Sequence, residues 1–205
     1  MSLWQGYTVL PVEPSRDGAI PETITRGARL FENPTGVQGV RVHTAAPAPA
    51  RAFTWYASGD QAIVELEAFL DDRRGIVVPF WVPSYQADLV LAQDAAPGTS
   101  TIQIRWAGYT SRLFPSSGRR DLALFLPDGT PEFHRVTDAA APVAYQPETL
   151  TVSPVTTREH PMARTLVSFL KFVRLDEDET EIVWETRAVA RATIRVRELP
   201  FEVPA

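Results

Sequence analysis

Eighteen prolines and eleven glycines are spread along the 205 residues, and they restrict the chain to short elements joined by many turns. Pro11, Pro14, Pro21, Pro34, Pro47 and Pro49 break up the first fifty residues, which leaves room there only for short extended pieces. One such piece is 39–44, where Val40 and Val42 alternate with Arg41 and His43 as in a half-buried strand. The Ala/Pro stretch 45–50 has no helix start signal and reads as an extended loop.

One stretch carries the signals of a helix. Residues 53–57 read as a strand leading into it. Ser58 is a good N-cap, and Gln61, three residues on, completes a capping-box pattern. Asp60 complements the positive end of the helix dipole. Ile63, Leu66, Phe69 and Leu70 then fall on one face, with Ala62 and Val64 widening the apolar stripe. Arg73 and Arg74 suit the last turn, and Gly75 suits the left-handed position beyond it. The expected helix, 59–74, is a rod of roughly 25 Å at ~1.5 Å per residue.

After the helix, strand signals take over. The apolar run 76–82 contains Pro79, which confines it to an edge strand or a bulge. Leu89 and Leu91 alternate, as do Ile102 and Ile104, and Leu122, Leu124 and Leu126. Turn chemistry separates these runs at Pro97-Gly98, Ser116-Ser117-Gly118 and Asp128-Gly129; the last of these predicts a hairpin between 122–126 and 133–136. A further short strand is expected at 149–152. This spacing points to a small barrel or sandwich over about 86–160. Residues 166–175 are strongly apolar and Phe-rich, the four carboxylates 176–179 read as a solvated hairpin turn, and strands follow at 181–184 and 188–198. In the last of these, Ala190, Ala192, Ile194 and Val196 alternate with Arg191, Thr193, Arg195 and Arg197, giving one apolar and one largely basic face.

Composition narrows the function classes. The hydrophobic fraction is 44% and the charged fraction 22%, which is ordinary for a globular protein. A chain of this length buries roughly 70% of its unfolded surface, so it needs no covalent staples. Without cysteine, disulfides, thiolate metal sites and a cysteine nucleophile are excluded. A net charge of −5 with no basic cluster argues against gripping a duplex, so no sequence-specific nucleic-acid partner is expected. No run nears the ~20 apolar residues that span a bilayer, and residues 1–10 lack the pattern of a signal peptide. No membrane partner is expected, and the chain is expected to be soluble and made in the cytoplasm.

Candidate chemistry is sparse. The three histidines, His43, His134 and His160, lie far apart in sequence, and none has the i, i+4 spacing of a helical zinc motif. His134 follows Glu132 in an expected strand, where a general base beside a carboxylate is conceivable but a packed or exposed strand histidine is the simpler reading. The run 176–179 lacks the glycine and terminal glutamate of a calcium loop. Asp71 and Asp72 point about 100° apart on a helix and do not converge. Nucleophile-elbow, phosphate-loop and dinucleotide motifs are absent. Trp81, Tyr85, Trp106 and Tyr109 are a conceivable stacking platform but suit a core or subunit interface better. The expectation is therefore a chain that is not an enzyme and has no catalytic, cofactor-binding or metal-binding residues.

One segment goes further. Residues 65–91 read ELEAFLDDRRGIVVPFWVPSYQADLVL, a helix ending in Arg73-Arg74-Gly75 that runs into the aromatic stretch Pro79-Phe80-Trp81-Val82-Pro83-Ser84-Tyr85. This resembles tail proteins of siphophages and of phage-like gene transfer agents, and most of all the distal tail protein. Residues 164–169 and the ending 190–200, with Glu198-Leu199-Pro200, are similar to the same group. The resemblance implies a mainly β protein: a tail-tube-like β-sandwich with one packed helix, formed by 1–85 and 161–205, plus an inserted small OB-like barrel at 86–160. It implies a virion structural role in the tail, as a homo-hexameric ring joining the tail tube protein to the baseplate hub protein, with DNA free to pass through the lumen. Arg191, Arg195 and Arg197 on one surface and 176–179 on another offer opposite charges that would set the register between subunits. A different class of reading is a carbohydrate-binding module that contacts a host glycan through Trp106 and Tyr109 of the inserted barrel.

Overall fold

Short strands dominate the computed structural model, which describes residues 2–10, 22–25, 28–32, 38–42, 48–140, 143, 145–200 and 202–204. The chain opens with β1 (Leu3–Trp4), β2 (Tyr7–Thr8), β3 (Glu22–Thr25), β4 (Ala28–Glu32) and β5 (Gln38–Val42). A long strand, β6 (Ala48–Ser58), then leads into helix α1 (Asp60–Arg73). There follow β7 (Phe80–Pro83), β8 (Thr101–Ile104), a short helix α2 (Tyr109–Arg112), β9 (Asp121–Phe125), β10 (Pro131–Ala140), β11 (Glu148–Ser153), β12 (Leu166–Leu175), β13 (Ile182–Thr186) and β14 (Val189–Glu198). The protein is mainly β with one long helix, as its turn chemistry and periodicity predict. Residues 43 and 44 of the first expected strand lie outside the described residues.

Two compact units share the chain. Met1–Pro11, Phe80–Phe172 and Phe201–Ala205 form one, and Val12–Pro79 with Val173–Pro200 form the other. The expected barrel segment, 86–160, lies wholly within the first, which also takes in both ends of the chain.

The second unit is built on β6 and β14, which pair over the whole run from Val189↔Ser58 to Arg197↔Ala50. This register places Ala57 opposite Ala190, Trp55 opposite Ala192 and Phe53 opposite Ile194, so the two alternating patterns merge into one buried apolar face. Helix α1 packs on β6, with the Trp55 and Phe69 rings edge to face at 5.8 Å. Ile63, Leu66 and Phe69 are buried as the helical stripe predicts, each worth about 1.5–3 kcal/mol of transfer free energy. Val64 is exposed, because its position turns it off that stripe.

Four local expectations change in this unit. Ser58 does not cap α1: it is still the last residue of β6, paired with Val189, and Gly59 takes the N-cap position with its N–H donated to the Ala188 carbonyl. Residues 48–50 are not loop but the start of β6, where Ile24 of β3 pairs with Pro49. Proline is tolerated there because the pairing of β6 with β14 stops at Ala50. Residues 76–79 are not strand. Arg74 and Gly75 both adopt left-handed φ, the Ile76 N–H is taken by the Asp178 carboxylate, and the Val78 N–H by the Arg73 carbonyl, so the helix exit consumes these residues. Finally, 176–179 is not a hairpin turn. The last residues of β12 and all of β13 lie in succession along the same edge of β14, and the acidic stretch loops out between them, held by the Asp176 N–H on the Arg195 carbonyl.

In the first unit the antiparallel order β12–β9–β10–β11–β8 follows the register of four pairings. The β9–β10 hairpin turns at Asp128-Gly129 as predicted, with Gly129 at φ +78 and its N–H on the Leu126 carbonyl. Residues 88–92 then close the ring. The Ala92 N–H donates to the Gln103 carbonyl of β8 and the Arg105 N–H to the Val90 carbonyl, while the Asp88 and Leu89 N–H groups both donate to the Val167 carbonyl of β12. Leu89 and Leu91 thus lie on a bridging stave made of isolated β-bridges rather than a regular strand. The closed barrel needs β12 in addition to the expected 86–160. Its interior holds Leu91, Ile102, Ile104, Leu122, Leu124, Val136, Leu150 and Val167, the alternate residues of each stave. The second helix, α2, was not expected from the sequence.

Candidate functional site

Three places in the fold hold chemistry or an unmet bonding capacity. The first is the pair of outer strands in the second unit. Across the sheet β3–β6–β14–β13, strands β3 and β13 have no further strand partner among the described residues. Each carries a large apolar side chain in solvent: Ile24 is 59% exposed and Trp184 54%. Two of the arginines expected to pair with the acidic run 176–179 across subunits, Arg195 and Arg197, lie against that run within one chain, and Arg191 lies against Glu185. Arg195 Nη1 lies 2.5 Å from Glu177 Oε1, Arg197 Nη2 2.7 Å from Asp176 Oδ1, and Arg191 Nε 3.7 Å from Glu185 Oε1.

The second place is a cluster at one end of the barrel. Glu132 and His134 are two residues apart on β10 and therefore share a face, directly opposite Leu124 and Leu122 of β9. The segment after β11 brings in His160, fixed by reciprocal backbone bonds with Ala95 at 3.0 and 2.9 Å. His134 is 1% exposed, His160 0%, and the Glu132 side chain 11%. The Glu132 carboxylate accepts from Thr157 N–H at 3.1 Å, from the Thr157 hydroxyl, and from His160 Nε2 at 3.0 Å. Burial alone would raise the Glu132 carboxyl, but these donors outweigh it and hold the group at about 2. His134 Nδ1 lies 2.8 Å from the Pro154 carbonyl oxygen, which only accepts, so the ring proton sits on Nδ1. Burial pushes the His134 imidazole below its ordinary range. The sequence predicts three separate histidines and no metal ligand; the structure brings His134 and His160 together, ring centroids 6.4 Å apart. The strand spacing Glu132-x-His134 was the available signal. The position of His160 depends on the return of a loop that no local pattern encodes. His43 lies outside the described residues.

The third place is a groove of about 490 Å³ at the exit of α1, where Glu67, Asp71, Arg74 and Asp178 gather. Asp71 and Asp72 are exposed on the helix end and do not converge, as the helix geometry predicts.

Two further buried carboxylates hold backbone and side-chain donors in place. Glu148, fully buried, accepts N–H bonds from Ala107, Tyr109 and Thr110 at 2.9, 3.0 and 2.7 Å and so pins the start of α2 to β11. Asp121 accepts from Trp4 Nε1 at 2.9 Å and Gln5 Nε2 at 3.1 Å and meets Arg135 at 3.3 Å, which anchors the N-terminal hairpin. The four aromatics do not form a platform. Trp81 and Tyr109 are completely buried, and the Tyr109 hydroxyl donates to the Arg119 carbonyl. Trp106 pairs instead with the exposed Tyr145, ring centroids 4.5 Å apart. No helix among the described residues is long and apolar enough to cross a membrane. No protein-family model matches the chain, and no curated protein matches it.

Proposed function

We propose that the chain is a structural subunit of a phage-type tail, a ring-forming protein placed between the tail tube and the baseplate hub, rather than a catalyst. The observation that carries this reading is the pair of outer strands, β3 and β13, which have no further strand partner among the described residues and each carry an exposed large apolar side chain, Ile24 and Trp184. A monomeric sheet protein guards such edges with charge, proline or a covering element. Here the two edges differ from each other, so the contact they favour is head-to-tail, β3 of one copy on β13 of the next. A head-to-tail contact repeated about an axis closes a ring. The Arg195–Glu177 and Arg197–Asp176 pairs fold the acidic loop onto β14 of its own chain.

Ile24→Lys and Trp184→Lys test the arrangement by electron microscopy and light scattering on concentrated protein. The wild type forms closed rings, and each variant alone is monomeric. A mixture of the two stops at dimers, because each retains one intact edge. A wild-type chain that stays monomeric in the presence of a tail tube end, or variants that still form rings, contradicts the reading.

A second reading, a carbohydrate-binding module, is favoured by one observation, the solvent-facing Trp106–Tyr145 pair. It predicts glycan binding that Trp106→Ala abolishes, measured by tryptophan fluorescence titration.

A further inference from the structure

We propose that Glu132, His134 and His160 form a binding site for a divalent transition metal of the zinc class, which ties the segment 154–160 to β10 across the mouth of the barrel. One ligand atom from each residue lies within 4.8 Å of the other two. Glu132 Oε2 stands 3.5 Å from His134 Nε2 and 3.0 Å from His160 Nε2. Tetrahedral zinc with bonds of about 2.0–2.1 Å places its ligand atoms about 3.3 Å apart, between these two separations. The donor set is two imidazoles and one carboxylate. It suits zinc and its neighbours, whereas calcium and magnesium take oxygen ligands.

An independent observation comes from the buried face of His134. With its proton fixed on Nδ1 by the Pro154 carbonyl, Nε2 carries a bare lone pair. That atom is buried, has no hydrogen-bond partner, and faces a carboxylate oxygen. Two acceptors face each other at the centre of the cluster, and a cation between them satisfies both. A carbonyl on the far nitrogen is also how metal-ligating histidines are oriented in general. The carboxylate is held in place by Thr157, and His160 by its backbone bridge to Ala95. Metal binding draws the ligand atoms from within 4.8 Å of one another to about 3.3 Å, and the proton on His160 Nε2 moves to the buried Nδ1. The Glu132 side chain is 11% exposed, which gives the ion and a water as fourth ligand a side to approach from. By joining His160 to Glu132 and His134 of β10, the metal would hold the 154–160 loop in place.

The test uses the full-length chain without a histidine tag, stripped with chelator. Zinc chloride titrated by calorimetry, and cobalt(II) followed by visible absorption, are the probes. We expect one zinc per chain, tetrahedral-type cobalt bands, and a higher melting temperature with zinc. Glu132→Gln and His134→Gln each weaken zinc by at least about 100-fold, more than the usual loss of an outer-shell partner. If His134→Gln does not fold, Glu132→Gln, on the solvent side, and the wild-type cobalt spectrum still decide. A folded wild type that takes up no zinc, or that shows only octahedral cobalt bands, overturns the proposal. So does zinc binding that persists undiminished in Glu132→Gln.

Discussion

Glu148 shows how much a single buried carboxylate can organise. Its two oxygens receive three backbone N–H groups that would otherwise be orphaned at the start of α2. Burial raises its carboxyl, and the bonds from Thr110, Ala107 and Tyr109 outweigh that, so its folded pKa lies below the ordinary 4.5. A group with a depressed folded pKa contributes stability that is present above its unfolded pKa and is lost as pH falls through the folded one. Urea unfolding of the wild type should therefore weaken below about pH 4.5 more steeply than that of Glu148→Gln. At neutral pH the variant should be about 2–3 kcal/mol less stable, since its amide presents a donor to a donor. A variant with equal stability and an equal acid slope would show that the carboxylate is not ionised in the fold. Gly75 makes a separate prediction. At φ +62 it is left-handed, and a Cβ there would collide with Asp178 Oδ1. Gly75→Ala should cost about 1–3 kcal/mol in urea unfolding, and an unchanged midpoint would contradict the helix exit described.

At the scale of elements, the sequence was most legible where one period dominates. The two-residue period of 190–197 set the burial of β14 position by position, and the Ile63, Leu66, Phe69 spacing set the face of α1. It was least legible where a distant partner decides. Ser58 has every local feature of a cap, yet nine register pairs with β14 hold β6 extended through it. The acidic run 176–179 has every local feature of a hairpin turn, yet β13 joins β14 rather than β12. Likewise, Glu132-x-His134 was visible as a strand pair, while His160 arrives only through the backbone bridge to Ala95. The helix face gives a direct check by calorimetry. Leu66→Ala should cost about 2–4 kcal/mol through the cavity it leaves, and Val64→Ala should stay within about 0.5 kcal/mol. The reverse order would place the wrong face of α1 on the sheet.

At the scale of the whole molecule, each unit presents a different kind of surface. The barrel closes on itself through 88–92 and spends its edges internally. The second unit ends in β3 and β13, which have no further strand partner among the described residues and carry the exposed Ile24 and Trp184. We propose that these edges meet those of another copy in the ring that the resemblance of 65–91 to distal tail proteins implies. We propose that the protein resides in a tail. The most direct measurement is immunogold electron microscopy of tailed particles from cells encoding the chain, with antibody raised against the purified protein. Label confined to the tip of the tail, where the tube meets the hub, is the predicted result. Particles without label on the tail, with the protein found only apart from them, would contradict it.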